Sequence, residues 1–138
     1  ARFWREPGVS RLVLSPELTL PMLRDIGGGA IVSGRIPLML TERCFVRENG
    51  GCEKCGKFTF TDRMGKKFPV LREYPHRNLI FNAVPTYMGD RQGELATAKI
   101  SHTHFLFTVE GEGEVRRLLS DYRRGAPLSS EVRRIRAK

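Results

Sequence analysis

The chain has 138 residues, 40% of them apolar, and carries 24 Lys+Arg against 15 Asp+Glu for a net charge of +9. That length suits one domain or part of one, and the apolar fraction argues against a disordered chain. No apolar run reaches the roughly 18–20 residues that cross a bilayer. The opening ARFWREPG lacks the apolar stretch of a signal peptide, so a cytoplasmic protein with no membrane partner is expected.

Leu12 to Leu14 form a short apolar run, and SPEL follows with the marks of a helix start. Ser15 suits the cap, Pro16 the first helical position, and Glu17 the positive end of the helix dipole. Pro21 predicts a short or restarted helix, which Gly27-Gly28-Gly29 ends. AIVSGRIPLMLT reads as one mostly buried strand. KFTFT and KKFPVL flank the turn residues Asp62-Arg63-Met64-Gly65 and predict a β-hairpin. NLIFNAVP reads as a strand, residues 86–96 as a helix broken by Gly89 and Gly93, and AKISHTHFLFTV as a buried strand. In GEGEVRRLLSDYRRG, Val115, Leu118, Leu119 and Tyr122 share one helical face, acids lead, arginines trail and Gly125 closes. Residues 126–138 read as a basic tail or a second short helix. Alternating strands and helices imply an α/β fold with parallel strands. So few strands leave open edges, which implies a piece of a larger barrel or pairing with another chain.

All three cysteines, Cys44, Cys52 and Cys55, fall within twelve positions. A cytosolic protein keeps thiols reduced, so clustered cysteines point to a metal rather than to disulfides. Cys52-Glu53-Lys54-Cys55 is a CxxC knuckle, and Gly50, Gly51 and Gly56 permit the tight turn that lets two thiolates face one ion. A tetrahedral site needs a fourth ligand. His76 is the candidate, because the hairpin carries the chain out and back. His102 and His104 are the alternatives, two residues apart on a predicted strand. Zinc and a 4Fe–4S cluster both suit this set. Arg43, Lys54 and Lys57 would lower the thiolate pKa and, with Arg77, could bind a nucleic acid or another anion. The charge excess favours RNA, DNA or an anionic partner, with a plain solvated surface as the alternative.

SRLVLSPELTL, GRIPLMLTERC, CEKC, FTDRMGKKFPV and HRNLIFNAVP, in that order, resemble the collagenase-like peptidase U-32 family. The likeness runs over about residues 9–125 and is nearest to the second half of the barrel in the longer members. It implies a partial or modified β/α (TIM-type) barrel, of which this chain supplies the later strands. Residues 1–125 would form one α/β domain, with 41–83 as an inserted Cys-rich hairpin segment and 126–138 as a basic tail. The first half of the barrel, or a second copy of the chain, would complete it. Four cysteines are usual in the family, the fourth just before a motif that corresponds to Phe81-Asn82-Ala83; His76 occupies its place. Relatives hold a 4Fe–4S cluster, or zinc shared by Cys and His. The resemblance also implies a peptidase with a Cys3His site. One alternative is an iron-sulfur component of RNA or ubiquinone-precursor hydroxylation. The other is a zinc-stabilised binding module without catalysis. The sequence contains no GxSxG and no HExxH. Glu17, in the SPEL stretch, and Arg35, near the end of a strand where β/α barrels place their active sites, are the catalytic candidates. A peptide and an RNA are the two substrate classes implied.

Overall fold

The computed structural model describes residues 8–54, 58–73 and 76–138, without the side chain of Lys54. The chain divides into two compact units, Ala1–Gly34 with Pro85–Lys138, and Arg35–Val84. Neither is part of a TIM-type barrel. The first holds a three-stranded sheet, the second a four-stranded antiparallel sheet, and no barrel closes among the described residues. The expected run of parallel strands fails at Gly34, whose φ of +129° turns the chain out of its first sheet. AIVSGRIPLMLT is therefore two strands in different sheets, β1 (Ala30–Gly34) and β2 (Pro37–Thr41).

In the first unit, β1 lies between β6 (Thr86–Tyr87) and β7 (Thr103–Leu106), antiparallel to the former and parallel to the latter. Helix α1 (Leu20–Ile26) starts later than SPEL suggests. Ser15 Oγ accepts the Glu17 N–H at 3.3 Å, closing a local turn, and Pro21 sits in the first helical turn, where a missing N–H costs nothing. Residues 86–96 hold no continuous helix: β6 gives way to a 3-10 turn at Gly89–Arg91 and then α3 (Gln92–Thr97), the short α2 (Phe45–Glu48) belonging to the other unit. The best-patterned helix, α4 (Glu112–Arg124), is present as predicted, and Gly125 ends it in the left-handed conformation at φ +67°. Leu20 and Leu23 of α1, Ala30 and Val32 of β1, and Met88, Leu95, Ala98 and Ile135 form the core, with Phe105 and Tyr122 against it. A fully buried leucine here contributes about 1.5–3 kcal/mol.

Residues 126–138, expected as a tail, run along this unit. Arg133 bridges to Thr86, its N–H bonds Pro85 O, and the Arg136 carbonyl accepts the Leu20 N–H. Arg134 reaches Asp90 Oδ2 at 2.8 Å and the Tyr87 carbonyl, and Arg136 donates to the Glu17 carbonyl at 3.0 Å. Ile135 fills the core between these arginines.

In the second unit the strand order is β2-β5-β4-β3, where β3 is Phe58–Thr61, β4 is Lys67–Glu73 and β5 is Arg77–Phe81. The predicted hairpin is β3–β4. Asp62 Oδ1 accepts the N–H groups of Met64 and Lys66 at 2.8 and 2.9 Å, which explains why Asp-Arg-Met-Gly turns here. Val70, Ile80, Phe81 and Val46 are buried. Arg35 donates to the Asn82 carbonyl at 2.9 Å and to the Ala83 carbonyl, and Asn82 N–H bonds Ile36 O. The start and end of the unit are thereby fastened to each other.

Candidate metal-binding end of the second unit

Antiparallel pairing decides which loops meet. Thr41 at the end of β2 pairs with Asn78 near the start of β5, Glu73 at the end of β4 pairs with Arg77, and Phe58 opens β3 opposite Val70. The exit of β2, the β4–β5 turn and the entrance to β3 therefore lie at one end of the sheet. Cys44 follows β2, Cys52 opens the 3-10 turn Cys52–Lys54 on the way to β3, and His76 immediately precedes β5. Cys55 and Lys57 lie outside the described residues.

Cys44 is buried at 6% exposure and caps the one-turn helix α2 (Phe45–Glu48), while Cys52 and His76 are exposed. Gly50 and Gly51, at φ +142° and +88°, make the turn between α2 and Cys52, as the GG pair suggests. Asn78 is fully buried and organises the site. Its Oδ1 accepts the Phe45 N–H at 2.8 Å, and its Nδ2 donates to the Arg77 carbonyl at 3.1 Å and toward Cys44 Sγ at 3.7 Å. An amide that donates toward a sulfur holds its side chain in place, as the outer contacts of metal ligands do. The signal for Asn78 was a lone amide inside the apolar stretch RNLIF, a residue type that is buried only when its hydrogen bonds are made.

Cys44, Cys52 and His76 do not by themselves converge: among the described residues no three His, Cys, Asp or Glu side chains could share an ion. The donor set still suits zinc or an iron-sulfur cluster, since thiolates and imidazole are the ligands both accept.

Of the residues expected to bind anions, Arg43 and Arg77 are paired with carboxylates, while Lys57 and the side chain of Lys54 lie outside the described residues. Arg43 pairs with Glu48, and Arg77 pairs with Glu42 at 3.3 Å and Glu73 at 3.9 Å. Arg35 spends hydrogen bonds on the carbonyls of Asn82 and Ala83, so its role is to fasten the chain. Glu17 is exposed on the turn before α1. His102 and His104 belong to the first unit: their rings stand edge to face with centroids 5.2 Å apart. No described helix is long and apolar enough to cross a membrane. Comparison with protein-family models, curated proteins and solved structures finds no match to this chain.

Proposed function

We propose that the second unit is a metal-stabilised module in which Cys44, Cys52, Cys55 and His76 hold one zinc ion or one iron-sulfur cluster, within a protein of peptidase U-32 type. The observation that carries this reading is the Asn78 side chain. It pins Cys44 at the end of the sheet to which topology also brings Cys52 and His76. The centre is structural in this reading. A loop-rich end joined to a four-stranded sheet gains its order from the ion, as small metal modules do. Peptide is the substrate class implied by the resemblance, and the metal end supplies shape rather than a nucleophile.

Anaerobic purification followed by mass-spectrometric metal analysis tests it. One zinc per chain, or a brown protein absorbing near 400 nm, is expected, with the metal lost on Cys44→Ser and His76→Ala. Metal-free protein of unchanged stability refutes it. Peptide cleavage abolished by Cys44→Ser while the metal is retained would refute the structural assignment and favour a thiol nucleophile. An iron-sulfur cluster together with salt-sensitive RNA binding would favour the RNA-modification reading.

A further inference from the structure

We infer that the first unit carries a divalent-cation site of its own, made by His102 and His104. His104 lies on β7 and His102 just before it, two residues apart and so on one side, opposite the side on which Phe105 joins the core. The ring centroids are 5.2 Å apart with an interplanar angle of 68°. Two imidazoles on one tetrahedral ion adopt this separation. With nitrogen–metal bonds of about 2.1 Å and about 1.1 Å more to each ring centre, a tetrahedral angle gives roughly 5.2 Å.

The nitrogens of His102 are arranged as in a ligand. Nδ1 is 2.9 Å from Ser101 Oγ, while Nε2 is buried and has no hydrogen-bond partner. If Ser101 accepts the Nδ1 proton, the lone pair is left on Nε2, the tautomer in which metal-bound histidines are held by an outer oxygen. Gly29 creates the space for this ring, because a Cβ there would lie 2.3 Å from Nε2. Edge-to-face packing alone accounts for the ring contact but leaves the Nε2 lone pair unused. No third His, Cys, Asp or Glu joins the pair among the described residues. A polar cavity of about 560 Å³, lined by Ser10, Arg11, Ser101 and His102, adjoins the site. A two-imidazole site of this kind takes Zn²⁺, Ni²⁺ or Cu²⁺ in preference to Mg²⁺ or Ca²⁺.

The test is a Zn²⁺ titration of the ¹⁵N-labelled chain, followed residue by residue by NMR. The amides of Gly29 and of residues 101–104 are expected to shift together and to saturate at one Zn²⁺ beyond whatever the cysteines take. His104→Phe keeps a ring against His102 but removes the nitrogen, and at least a tenfold loss of Zn²⁺ affinity at these amides is expected. His104→Gln serves as the second variant, with amide dispersion of the metal-free protein reporting its fold. Amides that do not move at millimolar Zn²⁺, or that shift equally in both variants, overturn the inference. Because responses from residues 35–84 are read separately, failure here is distinct from failure of the cysteine centre.

Discussion

Replacing Gly34 with alanine should cost the first unit much of its stability. Two effects add. The φ of +129° is one that an L side chain rarely adopts, worth about 1–3 kcal/mol. A Cβ would also stand 2.1 Å from the Leu106 carbonyl oxygen and 2.9 Å from Leu106 Cβ. That oxygen belongs to the backbone of the strand to which Gly34 is paired, so it cannot move aside as a flexible side chain would. Opening the last rung between β1 and β7 forfeits a hydrogen bond of about 0.5–1.5 kcal/mol and loosens the packing behind it. The sum is about 3–5 kcal/mol, against the 5–15 kcal/mol typical of a whole domain. Urea unfolding followed by far-ultraviolet circular dichroism, with chelator present to remove any metal contribution, should show the loss as a lower midpoint. Thermal unfolding should fall by about 10–20 °C. A loss below about 1 kcal/mol would refute the claim that Gly34 is required where the chain leaves the first sheet.

Gly113→Ala is the matching control: the position is helical with open space around a Cβ, and a gain of about 0.5 kcal/mol in the same urea assay is expected. Asn78→Ala strands the Phe45 N–H and uncovers Cys44, costing about 2–4 kcal/mol, and peptide mapping after iodoacetamide should show Cys44 modified faster than in the wild type, where the exposed Cys52 reacts before the buried Cys44. Arg134→Ala leaves Asp90 with only the Arg91 guanidinium, 4.0 Å from one carboxylate oxygen, while its other oxygen already lacks a hydrogen bond, and a loss of about 1–2 kcal/mol on denaturation is expected. Burial raises the pKa of both Tyr87 and Tyr122 above the ordinary 10.0, with Asp121 and Asp90 adding to the effect at Tyr87. The neutral forms are thus favoured in the folded state, so stability is unaffected by these groups below pH 10 and falls above it, as unfolded tyrosines ionise first. A melting temperature that declines as steeply above pH 10 in the Tyr87→Phe/Tyr122→Phe variant would refute that assignment.

Local chemistry made part of this structure readable in advance. Asp62 with Gly65 forces a turn wherever the chain leads, and α4 carries its own caps, charges and apolar face, so both could be placed from neighbours in sequence alone. The barrel could not. Its expectation rested on the resemblance and on an alternation of strands and helices in which AIVSGRIPLMLT counted as one strand, and apolar content does not reveal that Gly34 takes a positive φ and sends the second half to another sheet. The proposed metal end rests on residue type rather than on geometry. CxxC spacing announces soft ligands, whereas the strand register that brings Cys44 beside Asn78 is a long-range property.

Charge is the plainest case of composition saying less than it promises. A net +9 suggests a polyanion, and the arginines of the last dozen residues suggest an arm to hold it. In the folded chain Arg134 reaches in to Asp90 and the Tyr87 carbonyl, Arg136 lies exposed along the surface with a hydrogen bond to the Glu17 carbonyl, and Ile135 between them is a core residue. Arg134 donates to two acceptors and Arg136 to one, contacts that a solvated arm lacks. Arg43 and Arg77 are paired with carboxylates in the same way. What remains for a polyanion is the set of exposed, unshared cations, and that set is smaller than the count of Lys and Arg implies. Salt dependence of any RNA binding would measure it: a slope of only one or two released ions would mean that most of these arginines serve the fold rather than a partner.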